Sequence, residues 1–498
     1  MEKLRARVEK LGGILEAAKA LVAERNLDRL LLLIVGSAAR VVEADRCTLF
    51  LVDRDRGELW SKVAQGVAMK EIRFPIGRGI AGAVAETNTS VNIPDAYADP
   101  RFNQAVDKQT GYRTRSILCV PMRSLEGEVV GVLQALNKLD GSPFTDEDEE
   151  LLSALGGQAA AAVNNALLHQ EIQQMMEGFV RASVVAIESR DPTTAGHSGR
   201  VARLSVGLGD MLPRAGDAAG RWKGASLNTQ ERQELRYAAL LHDFGKVGVR
   251  ENVLVKANKL EPWELDNMRA RFETIFVQEE LAAEREKVDA LLRNPKARGR
   301  SRAAEIDKKL DERRKEISSM FEFVLTCNKP TILAEGSFER LHDIAKGTYV
   351  GPFNGEQRPF LQSNEVVKLS IRRGSLTEEE RKEIESHVTH TFRFLTQIPW
   401  TRTLRNVPGI AYGHHEKLTG RGYPRSLKET EIALPTRMMT ISDIYDALTA
   451  SDRPYKRAVP RDKAYDILND EAKRGEVDSD LLKVFIESDV PGNSPQEP

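Results

Sequence analysis

With 498 residues the chain is too long for one hydrophobic core, and its 73 basic against 74 acidic side chains exclude the cationic excess of a protein that grips a nucleic-acid polymer. Hydrophobic residues make up 41% and charged residues 30%, the balance of a globular protein of more than one domain. The longest apolar run, 30–39, is half of the roughly 20 residues a membrane span needs. The start, MEKLRARVEK, has no apolar signal core, and the scattered Cys47, Cys119 and Cys327 read as free thiols, so a cytoplasmic protein without a membrane partner is expected.

In chain order, residues 1–24 carry Leu4, Val8, Leu11, Ile14, Leu15 and Ala18 at helical spacing and predict a short N-terminal helix. Four apolar, β-rich runs follow at 47–52, 58–64, 116–122 and 129–137, separated by Gly, Pro and Asp turns and flanked by helical patterns at 26–42 and 146–168. These predict one α+β domain over 25–165, an antiparallel sheet flanked by helices. From 160 to 190 a helical pattern runs without a turn signal, through Val163, Leu167, Ile172, Met176 and Val180. Such a helix either couples two domains and pairs with its copy in a homodimer, or packs on its own domain.

From 183 to 480 an all-α domain is predicted, followed by a flexible tail over 481–498. Within it, 273–372 reads as an insertion. Its charge-dense part holds a helical stripe through Ile306, Leu310, Ile317, Phe321 and Val324, and Asn294-Pro295 breaks it into a helical hairpin that could take a protein partner. The segment from Lys259 to Arg271 echoes the one from Ser375 to His387, with Arg271 in register with His387; a partial duplication and a coincidence of two amphipathic helices both remain open.

Five of the eight histidines fall in four distant strings: Gly196-His197, His242-Asp243-Phe244-Gly245-Lys246, His387, and His414-His415-Glu416 with Gly420-Arg421-Gly422-Tyr423-Pro424. Roughly 0.1 adjacent histidine pairs are expected from random order at this composition. Imidazole and carboxylate are ligands of divalent metals, and their concentration points to a hydrolytic metal centre. A second doublet, His342-Asp343, lacks the following glycine and reads as an ordinary surface or core pair. Lys246 follows His242-Asp243 by one helical turn, which sets a cation beside the ligands and suits an anionic phosphate between them.

These strings resemble the HD-GYP family of cyclic di-GMP phosphodiesterases. Glu188, Arg190, Asp191, Thr194, Gly196 and His197 followed by Arg200 are similar to its first ligand helix, and the His-Asp doublet follows. Leu376-Thr377 leading to His387 resembles its third motif, and His414 to Pro424 its naming motif. Ser442-Asp443, Asp446 and Asp452-Arg453-Pro454-Tyr455-Lys456 resemble its closing helix. The resemblance spans 183–272 and 373–475. It implies that His197, His242, Asp243 and Asp443 hold one metal, and that Asp243, His387, His414 and His415 hold a second, with Asp243 bridging and catalytic. It further implies that Lys246 is catalytic and contacts the scissile phosphate, that Gly420, Gly422 and Tyr423 shape the loop over the substrate, and that Arg453 and Lys456 lie near it. Some members carry a glutamate where this chain has Thr193, tied to a third metal; two divalent ions, iron or manganese, are therefore expected here. Thr419 stands where the family's loop usually has an acid. Because Arg271 is no metal ligand, the insertion must return the chain to the site so that His387 supplies one.

Residues 25–165 resemble a GAF domain of the kind found in cyclic-nucleotide phosphodiesterases and cyclases, on Asp99-Pro100-Arg101-Phe102, Asp107, Thr110 to Cys119, and Asn137-Lys138 with Phe144 and Asp148-Glu149. The resemblance implies a pocket lined by Cys47, Ala64, Gln65, Ile80, Ala81, Asp107, Thr110, Thr114 and Gln134, for cAMP, cGMP or another small ligand. The Lys138–Asp148 pair is implied to support the fold. Taken together, the expected function is a ligand-regulated, metal-dependent hydrolase of cyclic di-GMP giving pGpG and then GMP. The alternatives are a catalytically weak cyclic-dinucleotide sensor and a phosphohydrolase of another nucleotide, such as the mixed cyclic dinucleotide.

Overall fold

A computed structural model of the chain describes residues 2–61, 72–191, 195–294, 297–450 and 458–493, without the side chains of 2–11, 106, 109, 110 and 297. Ala64, Gln65, Thr193, Arg453 and Lys456 lie outside the described residues, as does the side chain of Thr110. The chain divides into two compact units, Met1–Gly178 and Phe179–Pro498.

The first unit is built on strands β1 (Ala44–Asp53), β2 (Glu58–Ser61), β3 (Ile72–Pro75), β4 (Val91–Ile93), β5 (Ile117–Arg123) and β6 (Val129–Lys138). They form one antiparallel six-stranded sheet in the order β3-β2-β1-β6-β5-β4. Its helices are α1 (Glu2–Ala23), α2 (Leu27–Val41), α3 (Gly79–Thr87), α4 (Gln104–Thr110) and α5 (Asp146–Arg190). Side chains alternate across a strand, so each strand serves two cores. On one face Cys47, Leu49, Leu51, Val120 and Leu133 pack against Leu30 and Ile34 of α2 and Leu152, Leu155 and Val163 of α5. On the other Phe50, Ile117, Cys119 and Val132 pack against Ile80 and Val84 of α3. Asn26 caps α2 by accepting from the Arg29 amide at 3.0 Å.

Helix α5 runs for 45 residues, from the first unit into the second. It starts at Asp146, so the helix predicted for 160–190 and the flanking helix of the sheet are one. By length and composition it could cross a membrane, but 50% of its apolar window is buried inside the protein. Its first turn holds Asp148, whose Oδ2 lies 2.5 Å from Lys138 Nζ and accepts from Thr145. Burial alone would raise the Asp148 pKa; the Lys138 ammonium and the Thr145 donors outweigh it and hold the carboxyl below its usual range.

The second unit is helical, with α6 (His197–Met211), α7 (Thr229–Leu241), α8 (Glu251–Leu254), α9 (Pro262–Arg293), α10 (Ala297–Asn328), α11 (Ser337–Lys346), α12 (Ser363–Leu369), α13 (Glu378–Glu385), α14 (His387–Leu395), α15 (Val407–Tyr412), α16 (Leu434–Thr449), α17 (Arg461–Lys473), α18 (Ser479–Glu487) and α19 (Val490–Asn493). The predicted helical hairpin is α9 and α10, parted after Asn294. Helix α9 crosses the expected insertion boundary at 273 unbroken, because nothing between Pro262 and Arg293 stops a helix. The insertion also holds an unforeseen β-hairpin, β7 (Thr348–Val350) with β8 (Gln357–Pro359), and its Val324, Leu341, Phe360 and Leu369 share a core with Met268 and Phe272 of α9. Arg271 pairs with buried Glu365 at 2.7 Å and is no part of a metal site.

The tail expected to be flexible beyond 480 is instead folded through Asn493. Leu481, Leu482, Val484 and Phe485 of α18 are buried, and Asp478 caps the helix while accepting from Arg437 at 2.9 Å and Arg221 at 2.6 Å.

The Lys138–Asp148 pair yields a test. Replacing Lys138 with Met strands a buried carboxylate and is expected to cost about 3–5 kcal/mol, read as a lower unfolding midpoint of the first unit. Because the folded pKa of Asp148 is depressed, the pair's stabilisation is complete above the ordinary carboxyl pKa of about 3.9 and is lost as pH falls through the lower folded value. In Lys138→Met that acid-side loss should shrink.

Candidate metal centre and ligand pocket

Short-range structure places the histidines at helix ends. His197 opens α6 behind Gly196, whose φ of 67° is open to glycine at low cost. His242 caps the end of α7, and Asp243 starts the short 3₁₀ turn 244–248. His387 opens α14 where the chain bends after α13, and His414 and His415 follow α15. Asp443 alone projects from within a helix, α16.

The seven ligands expected from the resemblance converge. His387, His414 and His415 form one cluster, His197, His242 and Asp443 a second, and His242, Asp243 and His414 a third, with ligand atoms in each cluster within 4.8 Å of one another. Asp243 stands between them: its Oδ1 is 3.2 Å from His387 Nε2, and its Oδ2 is 3.4 Å from His242 Nε2 and 3.7 Å from His197 Nε2. Asp443 Oδ1 lies 3.2 Å from His197 Nε2 and 3.8 Å from His242 Nε2. Lys246 Nζ sits 2.9 Å from Asp243 Oδ2.

Hydrogen bonds behind the cluster set which nitrogen faces in. His242, His387 and His414 donate Nδ1–H to the carbonyls of Ala239, Ile384 and Ala411 at 2.6–2.7 Å. A carbonyl only accepts, so each ring holds a proton on Nδ1 and, in its neutral form, turns an Nε2 lone pair into the pocket. Nε2 of His387 and His414 face each other at 3.4 Å, and Nε2 of His242 is buried without a partner. Proton-free lone pairs and two buried carboxylates in one pocket fit divalent cations.

The electrostatics agree. Burial opposes a charge on His197, but the carboxylates of Asp443 and Asp446 outweigh it and push its pKa up to about 9. Burial and neighbouring histidines drive His414 well down, and burial brings His415 to about 4. Burial would raise Asp243, yet Lys246 and the surrounding imidazoles hold it well below the carboxylate range. Divalent ions held here would supply Lewis-acid activation of water and positive charge for a phosphoryl group; Lys246 adds a further cation on the same side as Asp243.

The loop from Gly420 to Pro424 is held by a residue without a role in the sequence reading. Glu416 is buried, and its two oxygens accept from the amides of Arg425 at 2.7 Å and Leu427 at 2.9 Å. A Cβ on Gly422 would lie 2.3 Å from the Lys417 nitrogen, so the loop closes tightly on this strand of chain. Tyr423 stacks by His415 with ring centres 4.8 Å apart. Gly420 has a φ of 76° and bonds the Lys417 carbonyl at 2.8 Å, which makes it a turn residue of that loop. Asp446, which the resemblance places in the closing helix without a role, accepts from His197 Nδ1 at 2.7 Å and from Arg200 at 2.7 Å. Its signal in the sequence is its spacing of one helical turn from Asp443.

In the first unit a cavity of about 670 Å³ lies on the α3 side of the sheet. Of the expected pocket residues, Ile80, Ala81, Asp107, Thr114 and Gln134 line it. Cys47 does not: it points into the opposite core with α2 and α5, and its neighbours Arg46 and Thr48 face the cavity instead. A one-residue offset on a strand reverses the face, which explains this error. Burial raises the Cys47 thiol to about 12, leaving it inert. Asp107 is buried and accepts from Thr114 N at 2.7 Å, Thr114 Oγ1 at 2.8 Å and Tyr97 at 3.1 Å.

A GAF-domain model matches residues 26–163, and HD-domain models match 194–315 and 363–481. The two HD matches divide the site, the first holding His197, His242 and Asp243 and the second the remaining ligands. Among curated proteins, the chain is 40% identical over 166 residues to the dual 3',5'-cyclic-AMP and -GMP phosphodiesterase 11A of Takifugu rubripes, covering 31% of this chain and 18% of that one. It is 37% identical over 176 residues to dual 3',5'-cyclic-AMP and -GMP phosphodiesterase 11 of Drosophila melanogaster, covering 32% and 12%. The chain thus spans less than a fifth of the length of these two relatives. Among solved structures, the GAF domain of a phosphoenolpyruvate-protein phosphotransferase from Coxiella burnetii matches at 25% identity over 33% of this chain and 98% of that one, with a TM-score of 0.31.

The turn after the His-Asp doublet offers a test. A Cβ on Gly245 would fall 1.9 Å from the His387 carbonyl and 2.5 Å from the Thr391 nitrogen. Gly245→Ala should force α14 away and lower metal content measured on the purified chain, whereas Gly409→Ala, with open space around it, should not. The chain carries a GAF domain followed by HD-domain sequence in two segments.

Proposed function

We propose that this chain is a binuclear metal phosphodiesterase that opens cyclic di-GMP to pGpG and, in a second cut, to GMP, under control of a small ligand at its GAF domain. The observation that carries the reading is the convergence of His197, His242, Asp243, His387, His414, His415 and Asp443, with Asp243 turned to both groups. Two divalent ions, iron or manganese, suit this mixed set of imidazole and carboxylate. In-line attack on a phosphodiester builds negative charge that Lys246 is positioned to meet. Arg453 and Lys456 are proposed to contact the dinucleotide, and Gly420, Gly422 and Tyr423 to shape the loop over it.

For the GAF domain we propose cAMP or cGMP. The cavity's size and its polar Asp107, Thr114 and Gln134 suit a cyclic mononucleotide, and the relatives named for these nucleotides support the class. Leu168, Ile172 and Met175, exposed on α5 at alternating steps of four and three, support a homodimer. Exposed Trp263 and Phe353, beside a cavity of about 570 Å³ in the inserted region, support a protein partner there. Three buried free thiols suit the cytoplasm.

Reduced, purified chain loaded with iron or manganese should linearise cyclic di-GMP, and His242→Ala should lose both bound metal and turnover in the same samples. Tight binding of the dinucleotide without turnover would transfer the assignment to a sensor. Saturating cAMP or cGMP should change the rate, and Gln134→Trp, which fills the cavity, should remove that response while keeping the basal rate. Rates indifferent to both nucleotides would remove them as effectors.

A further inference from the structure

The last turns of α5 end beside the His-Asp doublet. Phe179 stacks on Phe394 of α14 with ring centres 6.3 Å apart, and Phe394 stacks on Phe244, the residue after Asp243, at 3.6 Å. Three turns further on, Arg190 pairs with Glu251 of α8 at 3.0 Å. Asp191 comes next; its amide still donates to the Ile187 carbonyl at 3.0 Å, so the helix end fixes its backbone. Its carboxylate is buried, and Oδ2 lies 3.2 Å from Lys246 Nζ.

Lys246 therefore has two carboxylates, and they differ in kind. Asp243 faces the imidazoles of His197, His242 and His387 in the ligand pocket, and a cation there would draw on its charge. Among the described residues Asp191 lies outside the ligand clusters, so a cation in the pocket would draw less on its charge. We infer that Asp191 is the positioning residue for Lys246, holding its ammonium toward the reacting phosphate, and that the end of α5 sets where Asp191 stands. The kinetic part of this inference rests on the phosphodiesterase reading above.

The test uses the full chain loaded with manganese, as Asp191→Asn, Asp191→Glu, Lys246→Met and the double variant Asp191→Asn/Lys246→Met. Asp191→Asn should lower kcat on cyclic di-GMP by about 10- to 100-fold, the scale of losing one electrostatic group in a transition state, with KM, metal content and melting temperature little changed. Asp191→Glu should recover part of the loss. The double variant should be no slower than Lys246→Met, because the two act as one unit. Multiplying losses, or metal lost from Asp191→Asn, would overturn the inference. Amine-reactive labelling of Lys246, followed by mass spectrometry, needs no turnover: Asp191→Asn should label severalfold faster than wild type, and an unchanged rate would also overturn it. A wild type inert toward cyclic dinucleotides would sink the phosphodiesterase reading alone, and the labelling comparison would still decide the role of Asp191.

Discussion

The ligand pocket of the helical unit depends on imidazoles whose Nδ1 protons are held on the side away from the pocket. Ala239, Ile384 and Ala411 take the Nδ1 protons of His242, His387 and His414, and Asp446 faces Nδ1 of His197. The Nε2 atoms are left pointing at one another and at two carboxylates in a buried pocket. Like dipoles at 3.4 Å repel, and burial removes the water that would screen them. Positive charge between them relieves both costs, and protons and divalent cations compete for that role.

Holding such a pocket together demands close backbone approach. Gly245 lets the turn after the His-Asp doublet press against α14, where Thr391 accepts from the Gly245 amide and donates to the His242 carbonyl. One hydroxyl thus ties the His242 end of α7 to the helix that His387 opens. Glu416 does comparable work for the loop above, bonding two amides beyond the turn that Gly422 permits. These contacts behind the ligands orient them. The aromatic stack of Phe179, Phe394 and Phe244 brings the end of the long helix to the same turn.

The GAF domain solves a different problem. Its sheet is covered on both faces, so strand residues divide between a helix-packed core and the α3 side where the cavity lies. Asn137, at a φ of 52°, accepts from the Arg115 and Ser116 amides and donates to the Arg113 carbonyl, which pins the segment leading into β5 beside the cavity. Lys138 then reaches Asp148, so one end of β6 is tied to the first turn of α5.

Local residue order by itself marked four strand runs of the first sheet, the helical stripes, the histidine-rich strings, and Lys246 one turn beyond the doublet. Local patterns suffice there because period and spacing are properties of neighbouring residues. The tertiary structure decided what depends on distant partners. It turned Cys47 into the helix-packed core, since a strand's face is set by what covers it. It folded 481–493, because Arg437 and Arg221 meet Asp478 only after the chain returns. It brought Asp191, Asp446 and Glu416 to their partners for the same reason: a hydrogen bond between residues 249 positions apart, as between His197 and Asp446, leaves no periodic trace in the sequence.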